Sequence, residues 1–262
     1  MKLVPVSREG HATKRIRPLT SFAFAAGMPV ISLYGAEVAR AAHDFPVGFA
    51  AEKEGFFPVA VTGVEPGRSL FVADDGRWLG SYVPALLRRA PFRLAKVGAS
   101  DEWVLCLDED SALLSDSEGQ PLFAANGTPT EVIAQATRFL AELERNRVAT
   151  LAACAGLDRM GLLTPWDLRV AKPGEEERQL SGLFRIDEAK LTTVAAAGLA
   201  ELRDLGALSI AFLQLFSLHK LPAIGRLAAA RQQAEARRQT LQQGRFDLDR
   251  AFGIVDDDPF QF

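Results

Sequence analysis

The chain has 262 residues, of which 48% are hydrophobic and 24% charged, and these fractions are typical of a globular protein rather than a disordered or collagen-like one. A chain of this length buries enough surface to need neither a metal nor a disulfide to hold its core together. The 30 Lys and Arg residues stand against 33 Asp and Glu residues, and the formal net charge of −3 argues against a surface dedicated to nucleic acid.

The first half of the sequence is predicted to form a mainly antiparallel sheet. Short apolar runs are separated by Gly, Pro or Asp, without the long crossover helices that a parallel sheet needs. Asp74-Asp75-Gly76 indicates a hairpin turn, because glycine tolerates a positive φ. A short helix is expected over Gly35–His43. The expected strands are Pro46–Ala50, Phe57–Gly63, Ser69–Ala73, Trp78–Tyr82, Phe92–Val97 and Glu102–Asp108.

A stretch rich in Ser, Gly, Pro and Asn at Ser115–Thr128 precedes a change to helical periodicity. Thr128-Pro129-Thr130-Glu131 matches a capping box with proline at the first helical position, so a helix should begin here. Apolar residues then recur at helical spacing, and the helix should run to about Ala155 and stop before Gly156.

The segments that follow are predicted to be a hairpin and two helices. The hairpin should run from Asp167–Ala171 to Gln179–Ile186 around a turn at Lys172–Glu175. Asp187 should cap a helix that reaches about Leu205 and is closed by Gly206. The next helix, Ala207–Lys220, is apolar nearly all round and is therefore predicted to be the most buried one.

Residues 222–262 are predicted to form a projecting basic helix followed by an acidic tail. Beyond Leu227 large apolar residues vanish until Leu241, although helix propensity stays high, so no stripe remains to pack on the core. We expect the helix to bind a protein partner or to form a homodimer; a solvated face is the alternative. Its candidate partner-binding residues are Arg226, Arg231, Arg237 and Arg238.

Patterns that indicate catalysis, metals or cofactors are missing from the sequence. His11, His43 and His219 have no metal-ligand spacing, and Cys106 and Cys154 lie too far apart for a CxxC site. No nucleophile elbow, dinucleotide fingerprint or P-loop is present. We therefore expect no metal and no cofactor, and we assign no catalytic residue. Whether the chain is an enzyme stays open.

The densest cluster of chemically capable side chains lies between residues 78 and 92. Arg88 or Arg89 together with Tyr82 could hold the carboxylate or phosphate of a ligand or partner. Adjacent residues point apart, so the two arginines are not expected to grip one anion together. The alternative is structural, with one arginine bridging to Asp108 or Asp110 while the aromatic rings fill the core. The candidate ligand- or partner-binding residues are Trp78, Tyr82, Arg88, Arg89 and Asp108.

The expected compartment is the cytoplasm. The first residues lack a positive region followed by a long apolar run, as an export signal would have. No uninterrupted apolar stretch approaches the ~20 residues of a membrane span, so none is expected. Two cysteines in unlike segments suit buried thiols in a reducing compartment. An uncleaved secretion signal in the C-terminal tail has no simple physical signature, so that question stays open.

The sequence also carries a family resemblance. Leu3-Val4-Pro5-Val6-Ser7, Tyr82-Val83-Pro84, Arg88-Arg89 and Pro91-Phe92 occur in an order that resembles the SapC family of bacterial proteins, which is named after a gene associated with surface-layer protein transport. The resemblance covers about residues 2–221. Ala90 departs from it by replacing a bulky aromatic residue. The resemblance assigns no catalytic residue, and it implies a role connected with the export of surface-layer or other cell-surface proteins.

Together these observations predict an α+β fold in which an N-terminal antiparallel, curved or barrel-like sheet packs against C-terminal helices. Residues 1–221 are predicted to be a SapC-like domain, sheet-rich over 1–125 and helix-rich over 126–221. The predicted function is that of a non-enzymatic cytoplasmic binding or accessory protein. The alternatives are a small-molecule binder or enzyme that takes a small anionic ligand at the Tyr82, Arg88, Arg89 and Asp108 cluster, and a nucleic-acid-binding arginine-rich helix.

Overall fold

The computed structural model describes residues 2–96, 102–170 and 178–251. The turn predicted at Lys172–Glu175 and the acidic tail at Asp256–Phe262 lie outside these residues. Within them the predicted α+β class is confirmed, because the strands pair antiparallel and the long helices all come from the second half of the chain. The sheets are open rather than closed into a barrel.

The described strands fall into three sheets. They are β1 Leu3–Pro5, β2 Arg15–Ile16, β3 Val30–Ser32, β4 Val47–Glu52, β5 Gly55–Val61, β6 Phe92–Lys96, β7 Trp103–Asp108, β8 Leu114–Ser115, β9 Gln120–Pro121, β10 Leu163–Val170 and β11 Arg178–Ile186. The largest sheet has the order β10-β11-β4-β5-β3, the second has the order β1-β7-β6, and the short strands form β8-β2-β9.

The largest sheet joins the two halves of the chain. β4 and β5 form a hairpin, and β11 pairs with β4 at Leu183 opposite Ala50 and Phe184 opposite Phe49. Phe49 is completely buried, and it packs in one cluster with residues of the later helices. The sheet-rich and helix-rich segments are therefore held together by main-chain hydrogen bonds as well as by side-chain packing.

The described helices are α1 Arg8–His11, α2 Val38–Ala41, α3 Ala85–Arg88, α4 Glu131–Arg159, α5 Glu188–Thr192, α6 Ala196–Asp204, α7 Ala207–Ser217 and α8 Leu221–Ala251. α4 begins at Glu131, two residues after the predicted first helical position at Pro129, and the hydroxyl of its N-cap residue Thr130 donates to Pro121 O at 2.7 Å instead of capping the helix. α4 also continues past its predicted end at Gly156. A Cβ on Gly156 would stand 2.8 Å from Leu205 Cδ1, so this glycine permits close packing on α6 rather than ending α4.

The single helix predicted from Asp187 to Leu205 is wrong. Asp187 caps α5 by accepting a hydrogen bond from Lys190 N at 3.1 Å, but α5 ends at Thr192. Thr192 Oγ1 donates to Ala189 O at 2.7 Å and Thr193 Oγ1 donates to Lys190 O at 2.8 Å. These hydroxyls compete with the main-chain amides for the helical carbonyls, and the chain turns before it starts α6.

The strands predicted at Ser69–Ala73 and Trp78–Tyr82 are also wrong. Only one isolated bridge, between Val72 and Trp78, forms in this part of the described chain. The turn between them does form, with Ala73 N bonded to Arg77 O and Gly76 at a φ of +84°. The segment is instead a loop whose aromatic side chains pack inward on Phe45.

Among the described helices longer than five residues, α7 has the largest share of buried residues, as its composition predicts. Its inward side carries two buried polar residues, Gln214 and Ser217. Gln214 Oε1 accepts from Ile186 N and its Nε2 donates to Val47 O, both at 3.0 Å, while Ser217 Oγ accepts from Val47 N at 2.8 Å. The helix thus serves the main-chain groups at the ends of β4 and β11, and part of its apolar surface is left outside.

α8 continues from α7 through a short 3₁₀ turn at Leu218–Lys220. Ile224 and Ala228 are buried in the same cluster as the central sheet, so contacts with the core extend past residue 221. The helical run Ala207–Leu241 is long and apolar enough to cross a membrane by length and composition alone. A core helix meets the same criterion, and α7 buries Ile210 and Ala211. The absence of a membrane span therefore stays a prediction.

Candidate binding site

A buried carboxylate organises the loop that holds most of the predicted site residues. Glu37, at the end of a 3₁₀ turn, is 6% exposed. Its Oε2 accepts from the Tyr82 hydroxyl at 2.6 Å and from Ala85 N at 2.8 Å, and its Oε1 accepts from Tyr34 N at 2.8 Å. Three donors satisfy this carboxylate, as a buried charge requires. The loop and α3 are thereby fixed on the core.

Trp78 has a structural environment. Its ring packs about Phe45 and Phe71 with centroid separations of 6.0 and 5.9 Å, and its Nε1 donates to Tyr82 O at 2.8 Å. Asp44 Oδ2 accepts from Tyr82 N at 2.6 Å, which closes the turn from the other side. Burial and the hydrogen bond to the Glu37 carboxylate raise the pKa of Tyr82 to about 12, so its phenol is a hydrogen-bond donor at neutral pH.

Arg88 and Arg89 point to different neighbours. Arg88 is exposed, donates through Nε to Val83 O at 3.0 Å, and places its guanidinium 5.3 Å from the Phe139 ring centre. Arg89 is half-buried and bonds the Tyr34 hydroxyl. Burial and the charge of Arg93 lower the pKa of Arg89. The two guanidiniums therefore occupy different environments, as neighbouring positions on a helical turn dictate.

Asp108 has a backbone role at the end of β7. Its Oδ1 accepts from Lys2 N at 3.0 Å and from Asp110 N at 3.3 Å, which ties β1 to the strand end. Among the described residues neither Arg88 nor Arg89 forms an ion pair with Asp108. The bridging arrangement considered from the sequence is thus not formed with this carboxylate.

A cleft of about 560 Å³ brings Arg89 and Asp108 together. Trp78, Tyr82 and Arg88 do not line it. Its apolar wall includes Phe24 and Met28, which are 49% and 37% exposed. Arg93, on β6, contributes a second guanidinium to the lining. The cleft has the size of a small-molecule site.

The cleft residues that sequence reasoning missed include Phe24, Met28 and Arg93. The first two lie in a segment that carries none of the catalytic or binding motifs considered above. Arg93 carried a detectable signal, because Arg93 and Asp108 both belong to a strand pair in which alternate positions share a face. That alternation does not show which face of the β6–β7 strand pair borders the cleft.

The predicted partner-binding arginines of α8 divide into two kinds. Arg231 donates to Ser69 O at 3.4 Å and also to Val72 O, and Arg238 pairs with Asp74. These two residues attach the helix to the loop beside the central sheet. Arg226 and Arg237 are exposed. Along its first half, the helix is therefore docked by polar contacts that apolar periodicity does not reveal.

Two large apolar side chains are exposed on α7. Phe212 and Phe216 lie one helical turn apart and are 57% and 60% exposed. The ring of His219 packs on Phe216 with a centroid separation of 4.7 Å. We call Phe212, Phe216, Arg226 and Arg237 the outer face of α7 and α8; all four are exposed.

Neither cysteine has the environment of a nucleophile. Cys106 and Cys154 are both buried and free. Burial raises the pKa of Cys154 to about 12 and also raises the pKa of Cys106, so both thiols are protonated at neutral pH. In the described part of the chain, no group of three or more His, Cys, Asp or Glu residues is arranged to hold a metal ion.

Comparison with protein families gives one match: the model of the SapC family matches residues 6–224. The matched range includes Glu37, the residues that line the cleft and all of α7. No curated protein and no solved structure matches the chain.

Proposed function

The chain belongs to the SapC family, and from that premise we propose that it is a non-enzymatic, cytoplasmic binding protein that supports the export of surface-layer or other cell-surface proteins. The family's association with surface-layer protein transport motivates the link to export. The observation that carries the proposal is the exposure of Phe212 and Phe216 on a helix whose opposite side is buried.

The outer face of α7 and α8 has the composition of a docking surface. Large apolar side chains in water are unfavourable, and adjacent ones on a soluble protein mark interaction sites. Phe212 and Phe216 supply apolar contact, while Arg226 and Arg237 follow on the same helical run as exposed cations. The partner that fits is an exported protein segment with apolar side chains beside carboxylates, because charge complementarity selects it.

A second copy of the chain fits the outer face less well. An interface between identical faces would bring like-charged arginines such as Arg226 and Arg237 into one contact region, which disfavours association. We therefore assign the face to an acidic client protein.

The environment of three candidate binding residues, Trp78, Tyr82 and Asp108, supports the non-enzymatic part of the proposal. Trp78 Nε1 donates to Tyr82 O, the Tyr82 hydroxyl donates to Glu37, and Asp108 accepts from Lys2 N. These contacts give the three side chains structural roles.

The proposal is tested in a bacterial strain that lacks the gene. The strain is complemented with the wild type, with a Phe212→Asp/Phe216→Asp variant, or with Val148→Asp, which alters a similarly exposed apolar residue on α4. Surface-layer and other cell-surface proteins are quantified by mass spectrometry in surface and cytoplasmic fractions. We expect the wild type and Val148→Asp to restore surface abundance, and the double variant to leave these proteins in the cytoplasm.

Full restoration by the double variant would contradict the proposal. Circular dichroism melting of the purified proteins controls for folding, since exposed substitutions should leave stability nearly unchanged. Sedimentation velocity reports the oligomeric state. A wild-type dimer that dissociates in the double variant would identify a second copy as the occupant and overturn the assignment to a client protein.

A further inference from the structure

The cleft between the Leu19–Met28 segment and the β6–β7 hairpin has one apolar and one cationic side. Phe24, Met28, Leu86 and Leu113 contribute apolar surface to its wall. The volume of about 560 Å³ lies within the range of small-ligand sites. Phe24 is 49% exposed, so a ligand in the cleft would bury surface that water now contacts.

The cationic side consists of two guanidiniums. Arg89 is half-buried, and its recorded partner, the Tyr34 hydroxyl, is neutral. Arg93 lies near enough for its charge to disfavour the charged form of Arg89. In the described part of the chain, neither guanidinium is in an ion pair. Two like charges in a partly desolvated place are costly; Asp108 and Asp110 are the carboxylates of the same lining, and a bound anion would add counter-charge directly beside the guanidiniums.

The acidic side chains of the lining restrict where an anion can lie. Asp108 and Asp110 also border the cleft, and Asp108 is already engaged by Lys2 N at 3.0 Å. The carboxylates of Asp108 and Asp110 would repel the carboxylate of a bound ligand. The charged end of an anionic ligand is therefore directed to the Arg89 and Arg93 side, and its remainder to the apolar wall.

We propose that this cleft binds a small amphipathic carboxylate, with the carboxylate between Arg89 and Arg93 and the hydrocarbon chain against Phe24 and Met28. A guanidinium offers paired N–H donors that match the two oxygens of a carboxylate, which makes this the favoured anion. The site goes beyond the proposed function, because it lies on different elements from α7 and its ligand is not a protein.

Isothermal titration calorimetry with decanoate tests the proposal on the full chain, below the concentration at which decanoate forms micelles. Decanol is the matched probe, with the same chain length and no charge, and acetate supplies the charge without the chain. We expect decanoate to bind about tenfold or more tightly than decanol, because bonds to charged groups are worth roughly 1.5–3 kcal/mol. Acetate should give no measurable heat. Equal affinities for decanoate and decanol, or no binding of decanoate, would overturn the proposal.

Two arginine variants test whether the Arg89 guanidinium binds the carboxylate of decanoate. Arg89→Met keeps the length of the side chain and removes its charge, and it should bring the affinity for decanoate closer to that for decanol, because only Arg93 then remains beside the carboxylate. Arg88→Met changes the neighbouring residue, which does not line the cleft, and should leave decanoate binding unchanged. An unchanged affinity in Arg89→Met, or an equal loss in both variants, would contradict the assignment.

A third variant tests whether the ligand occupies the volume of the cleft. Ala90 lines the cleft, and Ala90→Phe should weaken decanoate and decanol alike by occupying part of the volume. Thermal melting of each variant confirms folding, and the comparison of decanoate with decanol on the wild type needs no variant. The cleft variants leave Phe212 and Phe216 unchanged, so the two proposals are tested separately. A failure to bind decanoate would not contradict the export proposal, and a negative export assay would not contradict ligand binding in the cleft.

Discussion

The Tyr82 hydroxyl donates to Glu37 Oε2 at 2.6 Å, across 45 residues of sequence, and this bond joins the short 3₁₀ turn at Gly35–Glu37 to the loop before α3. The same oxygen also accepts from Ala85 N at 2.8 Å. One carboxylate therefore fixes both the loop and the first turn of the helix that leads to Arg89. The position of the cleft depends on this contact.

Glu37→Ala should lower the free energy of unfolding by about 3 kcal/mol or more, because three hydrogen bonds to a charged acceptor are lost and buried donors are left unpaired. Urea denaturation measures the change. Glu201→Ala is the control: its carboxylate pairs with Arg159 at 2.5 Å on the surface and should matter by less than about 1 kcal/mol. Similar losses in the two variants would contradict the role given to Glu37.

The raised pKa of Tyr82 predicts a loss of stability at alkaline pH. The folded pKa is about 12 against an ordinary value of 10.0, so the stabilisation is complete below pH 10 and disappears as the pH rises through 12. Tyr82→Phe should be less stable than the wild type at neutral pH and should show a shallower decline above pH 10. Urea unfolding across this pH range measures both slopes. Parallel declines would mean that Tyr82 does not cause the alkaline loss.

Gln214→Met should destabilise the protein by about 2–4 kcal/mol, because it leaves Ile186 N and Val47 O without their side-chain partner in a buried place. Methionine has a similar length, so packing changes little. Gln233→Met on the exposed side of α8 is the matched control and should change stability by less than about 0.5 kcal/mol. Chemical denaturation of both variants measures the two changes in the free energy of unfolding.

Arg231→Ala should release the middle of α8 from the loop at Ser69–Val72. The side chain donates to two main-chain carbonyls there, and its removal should speed amide hydrogen exchange around residues 231–241 by about tenfold or more. Arg237→Ala, on the exposed side, should leave exchange as in the wild type. Equal protection in both variants would show that contacts other than those of Arg231 hold α8.

Local signals predicted the elements that depend on neighbouring residues. The cap of α5 at Asp187 and the β6–β7 strand pair follow from capping chemistry and alternation, and the start of α4 was placed to within two residues. The predicted end of α4 failed because it depends on a distant partner. Gly156 does not end α4. It faces Leu205, which is remote in sequence, and a side chain at position 156 would clash with it.

The candidate site could be predicted only in part for the same reason. Arg89 and Asp108 were selected by residue type and do line one cleft, but Phe24 and Met28 come from a segment more than 50 residues earlier. Glu37 had no local pattern that marked it as the acceptor for Tyr82. The composition of α7 predicted its burial but not that Gln214 and Ser217 occupy the inward side, where main-chain groups of β4 and β11 need partners.

The pairing of β11 with β4 has a consequence for synthesis on the ribosome. The β4–β5 hairpin emerges more than 100 residues before the strand that must lie beside it. Until residues 178–186 have left the exit tunnel, one edge of β4 is unpaired, and such an edge can recruit other strands. Nascent chains halted between these points should therefore need a chaperone, and a fragment ending at residue 125 should aggregate when expressed by itself.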